Sequence, residues 1–180
     1  FFIQPRGQFG PPGSATAVEL TEADVEVVED VSGVKDATAY VIGNVKIEFR
    51  DTLRFGTTAG IDPEKLDVAF GSYDVEQGRK LRESSGKEIM LGYDYAHSDY
   101  IGRPVEVGDN ILINDVEFKV VGIIEKIGNS ADDRQTYIPK EEFRELLDVA
   151  ERVDFIVVQV DNQDEIQEVA DDVERKLSRF

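Results

Sequence analysis

The chain has 180 residues, 41% of them hydrophobic and 9% aromatic: enough apolar material for one domain, or two small lobes, around a real core, and too much for a disordered segment. Its 38 acidic residues against 20 basic ones give a formal charge of −18, which repels phosphate backbones and anionic membrane surfaces, so no nucleic-acid partner is expected. There is no cysteine, which excludes disulfides and thiol chemistry without fixing a compartment.

Residues 1–19 read as a linker, punctuated by Gly7, Gly10, Pro11, Pro12, Gly13 and Ser14. Thr21 is placed to cap a helix. Glu22 and Asp24 put negative charge in its first turn, Val25, Val28 and the Val27/Val31 pair give it an apolar face, and Gly33 ends it. Residues 34–58 are strand-like. One run covers 37–42; Val45, Ile47 and Phe49 alternate with polar residues in a second. Leu53, Phe55 and Thr57 continue beyond a hairpin at Arg50-Asp51, whose register stays open because the turn lacks glycine. Asp62-Pro63-Glu64 starts a short helical turn. Residues 70–87 read as irregular, 88–91 as a strand and 93–100 as a helical turn.

In 101–125, Val105/Val107 and Val116/Phe118/Val120 alternate with polar residues, and Gly108-Asp109 and Asn114-Asp115 are turn dipeptides. Together with Thr136-Tyr137-Ile138-Pro139 the stretch reads as a compact β-meander. The polar loop 128–134 between them is expected to be exposed and mobile. A helix over 140–149 carries Phe143, Leu146 and Leu147 on one side. Phe155-Ile156-Val157-Val158 is apolar on both faces, which places strand 154–160 inside a sheet. Helix 164–178 has a stripe of Ile166, Val169, Ala170, Val173 and Leu177. Asp164 and Glu165 stand at its positive end, Arg175, Lys176 and Arg179 at its negative end. No apolar run approaches the ~20 residues that span a bilayer.

No arrangement of residues points to catalysis. His97 is the only histidine. His97-Ser98-Asp99 has triad residue types, but adjacency in sequence is not triad geometry, and the tripeptide reads as a surface turn. One histidine and no cysteine argue against zinc. Acids cluster at Glu19/Glu22/Asp24, Asp132-Asp133, Asp161-Asn162-Gln163-Asp164-Glu165 and Asp171-Asp172. Calcium needs about six to eight oxygens at set positions. The 161–165 run lacks the glycine and the distant glutamate of a calcium loop, and helix capping explains it more simply. No carboxylate pair stands out for glycoside hydrolysis, and there is no tryptophan for sugar stacking. No phosphate-binding G-x-x-x-x-G-K occurs, so the chain is not itself an ATPase. Tyr73, Tyr93, Tyr95 and Tyr100 are the exposed aromatic candidates; they read as packing a junction between lobes, with contact to a partner or substrate as the other use. No catalytic, cofactor-binding or metal-binding residue is expected, and no cofactor.

The series Ile101-Gly102, Ile111, Ile113-Asn114, Phe118-Lys119-Val120-Val121-Gly122-Ile123-Ile124-Glu125 and Tyr137-Ile138-Pro139 is preceded by four further segments. These are Leu20-Thr21-Glu22-Ala23-Asp24-Val25, Val31-Ser32-Gly33-Val34, Ala59-Gly60-Ile61-Asp62-Pro63 and Glu76-Gln77-Gly78-Arg79. In that order they resemble the extracytoplasmic (periplasmic) core domain of MacB/FtsX-like ABC transporter permeases, over roughly residues 20–180. The stretch before Leu20 and the short 128–134 loop, where an adaptor contact would fall, depart from the family pattern.

The expected fold class is α+β. Helix 21–31, strands 37–42 and 154–160 and helix 164–178 make a sandwich lobe. The resemblance implies that this lobe, about 20–67 plus 153–180, is membrane-proximal and porter-like, and that about 68–152 is an inserted β-rich, sabre-like distal lobe. It further implies a non-catalytic domain on the extracytoplasmic side of the cell membrane. That domain would couple ATP-driven movement of membrane helices to export or extraction of a substrate at the outer face. Its implied partners are a second permease subunit in a homodimer, a cytoplasmic ABC ATPase and an extracytoplasmic adaptor. Phe1-Phe2-Ile3 and Phe180 are then either stubs beside the membrane or ordinary fragment ends. The isolated domain is expected to be monomeric or weakly dimeric. A reading from another class is a secreted acidic binding or adhesion module assisted by calcium.

Overall fold

A computed structural model of the chain describes residues 1–5, 19–71, 73–83 and 86–178. The Gly/Pro-rich part of the expected linker, 6–18, and the basic end Arg179 with Phe180 lie outside them. The first residues of that stretch form a strand, β1 (Phe2–Ile3). A two-residue strand, β2 (Leu20–Thr21), leads into helix α1 (Glu22–Glu29). The N-cap works as expected: the Thr21 N–H donates to the Asp24 carboxylate at 2.7 Å. The helix stops at Glu29, short of Gly33.

The runs expected at 37–42 and 45–49 are one strand, β3 (Val34–Phe49), paired residue for residue with β4 (Thr52–Ile61). Gly43 lies between the two runs without breaking the strand: a Cβ there would lie 2.6 Å from Leu147, so the glycine serves a close approach of the Lys140–Leu147 helix to the sheet. The hairpin falls at Arg50-Asp51 as expected, with Arg50 itself adopting φ +53° in place of a glycine. After a 3-10 turn at Pro63–Lys65, capped by the Asp62 side chain, comes α2 (Leu66–Phe70).

The region read as irregular contains a strand, β5 (Val75–Gly78), followed by β6 (Glu88–Leu91) and α3 (Tyr93–His97). Val105/Val107 do not form a strand: the Val105 N–H donates to the Tyr95 carbonyl at 2.8 Å, and Val107 is left exposed. The hairpin is β7 (Asn110–Ile113) and β8 (Val116–Ile124), turning on Asn114 and Asp115, both at positive φ. The expected exposed loop carries α4 (Ser130–Asp133) and buries the Asp133 carboxylate, which accepts the N–H groups of Ile127 and Gly128. Strand β9 (Thr136–Pro139), α5 (Lys140–Leu147), β10 (Arg152–Val153), β11 (Phe155–Val160) and α6 (Ile166–Leu177) complete the order.

Among the described residues the main sheet runs β1-β11-β3-β4-β9-β6-β8-β5, with β7 bridging β3 and β8. It is not a simple meander. β6 lies between β8 and β9, and β9 pairs parallel with β4. The pairings β3–β4–β9–β6–β8–β7–β3 return to their start, so these strands form a closed barrel. Its interior holds Val45, Ile47, Phe49, Leu91, Ile111, Ile113, Phe118 and Val120. A second core lies where α1 and α6 cover Ala37, Ala39, Ile156 and Val158 of the open part of the sheet. β11 lies between β1 and β3, as its two apolar faces require. Of the α6 stripe, Val169 and Val173 are buried, but Ile166 is 38% exposed because the helix begins beyond the edge of that core.

Candidate functional site

β3 is the element that both cores share. Its first half, Val34 to Tyr40, pairs with β11; near its far end, Ile47 and Glu48 pair with β7 of the barrel. Between these ladders side chains take over. Asp154, the residue before β11, donates its N–H to Tyr40 O at 3.0 Å, and its carboxylate accepts the Ile42 N–H at 2.8 Å. Arg152 donates to both Asp154 (3.2 Å) and the Ile42 carbonyl (3.1 Å). The pair thus completes the hydrogen bonding of β3 after its strand partner has diverged. A second clasp ties the α1 N-terminus to α5: Glu22 accepts from Lys140 at 2.8 Å and from Arg144. Burial pushes the Glu22 carboxyl up, but hydrogen bonds and charge from Lys140 and Arg144 outweigh it and leave the group below its ordinary value.

At the β3–β4 hairpin, Lys46 meets Asp115 at 2.7 Å, and Asn114 exchanges backbone and side-chain hydrogen bonds with Lys46, fastening the hairpin to the β7–β8 turn. Arg54 donates to Tyr100 O at 3.0 Å, and Gly102 presses against the Thr52 side chain, so the 98–103 segment flanks the hairpin. Phe55 is 77% exposed and Leu53 43%.

The residues singled out from sequence are dispersed. His97 ends α3; its Nε2 lies 2.6 Å from Glu76 of β5, and its ring stacks on Tyr93 at 3.9 Å. The Ser98 hydroxyl donates to the Asp94 carbonyl, away from His97, so the tripeptide builds no triad. Tyr95 is not exposed: it is fully buried in the barrel, its hydroxyl donating to Arg134 O at 3.0 Å, with Tyr100 packed edge-on at 5.3 Å. Tyr73 stands apart on the surface. Burial pushes the Tyr40 phenol up to about 12 and those of Tyr95 and Tyr137 higher still, so all three stay protonated phenols near neutral pH.

Asp24 caps α1, Asn162 caps the turn before α6, and Asp133 closes its own loop, so these acids serve local backbone. A cleft of about 380 Å³ gathers Asp62, Glu64, Glu83, Glu141 and Glu142 beside Lys140. Among the described residues, however, no three His, Cys, Asp or Glu side chains group as metal ligands. No described helix is long and apolar enough to cross a membrane. Sequence reasoning missed Glu76, Asp154 and the hairpin arginines. Only the apolar alternation of Leu53 and Phe55 hinted at the last.

An open α/β layer and a closed barrel that share strand β3 define a mixed α/β domain built on a β-rich sheet. The chain belongs to the family of MacB-like periplasmic core domains, whose model matches residues 1–176. It is 30% identical over 179 residues to an uncharacterized ABC transporter permease of Methanocaldococcus jannaschii, covering 98% of this chain and 44% of that protein. The chain therefore spans less than half the length of that relative. Its fold is that of the extracellular domain of the noncanonic ABC-type transporter YknZ from Gram-positive bacteria: TM-score 0.72 at 18% identity, over 97% of this chain and 89% of that one. It is also that of the periplasmic region of MacB from Actinobacillus actinomycetemcomitans, with TM-score 0.72 at 16% identity over 92% and 77%. The chain is thus a domain of the kind that MacB-type ABC transporter permeases carry.

Proposed function

We propose that this domain stands on the outer side of the membrane as a non-catalytic part of a permease subunit, and passes motion of the membrane helices to a substrate at the outer face. Two permease copies pair, a cytoplasmic ABC ATPase supplies the driving step, and an extracytoplasmic adaptor is a further partner. Residues of about 20–67 and 153–180 form the membrane-proximal, porter-like lobe; about 68–152 form the distal, sabre-like lobe. The observation that carries this reading is the continuity of β3 from the α/β layer, where it pairs with β11, into the barrel, where it pairs with β4 and β7. A single strand held in both parts lets one part move the other as a rigid body. The alternative of a calcium-assisted secreted module is unsupported, given the family match and the lack of grouped acidic ligands among the described residues.

The absence of cysteine makes a distance experiment direct. Spin labels on introduced cysteines at Glu26 and Asp51 of the intact permease, in membranes with its ATPase, report both separations. ATP is expected to change the Asp51–Asp51 distance between copies while the Glu26–Asp51 distance within a copy holds. No response to ATP, or an equal change within one copy, overturns the reading.

A further inference from the structure

The β3–β4 hairpin is an arm of the barrel where arginines gather in an otherwise strongly acidic chain. Nine arginines lie among the described residues, and five of them (Arg79, Arg134, Arg144, Arg152 and Arg175) pair with carboxylates. Of the four that do not, Arg50, Arg54 and Arg103 meet at the β3–β4 hairpin. Arg50 is at its turn, over the Phe49 ring at 5.2 Å; Arg54 reaches Tyr100 O; Arg103 follows the glycine that touches Thr52. Asp51 and Asp99 stand in the same segments, yet in a chain with 38 acids none of these three guanidinium groups forms an ion pair with a carboxylate among the described residues. The same arm carries Leu53 and Phe55. Cross-strand partners share a face, so Leu53 and Phe55 stand with Glu48 and Lys46 on the outside of the barrel, and Arg54, opposite Ile47, stands on the other side at its rim. Arg50 at the turn lies between the two sides.

We propose that this arm is a docking site for a protein segment that presents carboxylates on either side of an apolar side chain. The apolar group covers Leu53 and Phe55; the carboxylates reach Arg50 around the turn and Arg54 and Arg103 over the rim. Guanidinium forks bind carboxylates in two-pronged fashion, and exposed aromatics beside arginine are the usual anchors of protein interfaces. Charge complementarity selects this partner. A basic segment is drawn instead to the Glu64/Glu83 cleft, and a second copy of the chain brings its own −18 charge, most of it away from the arm. The proposal rests on the reading of the chain as an outward-facing permease domain and deepens it by naming a partner surface.

The test uses the isotope-labelled chain and two short synthetic peptides, one alternating glutamate with leucine and one with lysine in place of glutamate. The glutamate peptide is expected to shift amide resonances of 50–57 and 99–104, and the lysine peptide is not. Arg54→Glu with Arg103→Glu, and separately Phe55→Ser, are expected to weaken the glutamate peptide at least about tenfold. These positions are exposed, so the unfolding temperature should hold and exclude misfolding as the cause. Shifts outside the arm, or no loss on charge reversal, overturn the proposal. So does concentration-dependent self-association that Phe55→Ser abolishes, because the occupant is then a second copy. The permease reading fails on a different result, a full-length polypeptide that never enters a bilayer.

Discussion

The Asp154 carboxylate accepts the backbone N–H of Ile42 at 2.8 Å across 112 residues of sequence. It does so where β11 stops pairing with β3, and it simultaneously holds Arg152. Asp154 is only 5% exposed, while the Arg152 side chain is 26% exposed and keeps the Ile42 carbonyl as a second acceptor. Asp154→Ala takes the acceptor from the Ile42 N–H and the counter-charge from Arg152, and is expected to cost about 2 kcal/mol. Asp154→Asn keeps an acceptor for Ile42 and loses only the charge, so about half of that loss is expected. Urea unfolding of the two variants checks the ranking; equal effects would mean that the charge facing Arg152, not the acceptor for Ile42, sets the cost.

Gly78 and Gly122 mark a close approach where edge strand β5 pairs with β8. A Cβ on Gly78 would collide with the Val121 carbonyl, and Gly78 also adopts φ +75°. Gly108 has φ +98° but open space around it. Gly78→Ala is expected to cost well over the ~1–2 kcal/mol of the backbone conformation alone, and Gly108→Ala about that amount. Thermal or urea unfolding separates the two.

Glu22 gives the stability curve a defined sign. Its carboxyl is lowered from 4.5 in the folded chain, so the folded state holds its proton less tightly than the unfolded one. The Glu22 clasp therefore contributes its full stability above 4.5, and that contribution is lost as pH falls through the lowered folded value. Glu22→Gln is expected to be less stable than the parent at neutral pH, with the gap closing in acid. A gap that stays constant down to the acid limit would show that Glu22 acts through packing rather than charge.

His97 fastens an edge strand. Among the described residues β5 has only β8 as a strand neighbour, and Glu76 ties it to α3. His97→Ala is expected to change global stability by no more than about 1 kcal/mol, since the pair is partly solvated. Amide exchange at 75–78 should nevertheless accelerate while that of β8 holds.

The three longest helices were legible because their signals are local. Thr21 with Asp24, and the Val169/Val173 spacing, need no distant partner, and both stand as read. The strands were legible only in part. Val75–Gly78 carries no apolar alternation, because it lies at an edge with its side chains in solvent. Val105/Val107 does alternate, yet its backbone bonds to Tyr95 and not to a strand. The runs 37–42 and 45–49 read as separate because nothing near Gly43 in sequence announces Leu147, more than 100 residues on. Placing β6 between β8 and β9 is likewise a long-range fact. At the candidate sites the residues themselves were visible, but pairings such as Asp154 with Ile42, Glu76 with His97 and Arg54 with Tyr100 join segments that only the fold brings together.

Sixteen residues of β3 at about 3.3 Å each make a rod of up to about 50 Å. Swinging its Val34 end through about a tenth of a radian carries the Arg50-Asp51 turn sideways by roughly 5 Å, a displacement comparable to one helical turn. Leverage of that kind needs no distortion of any bond along the strand, only a firm grip at its base.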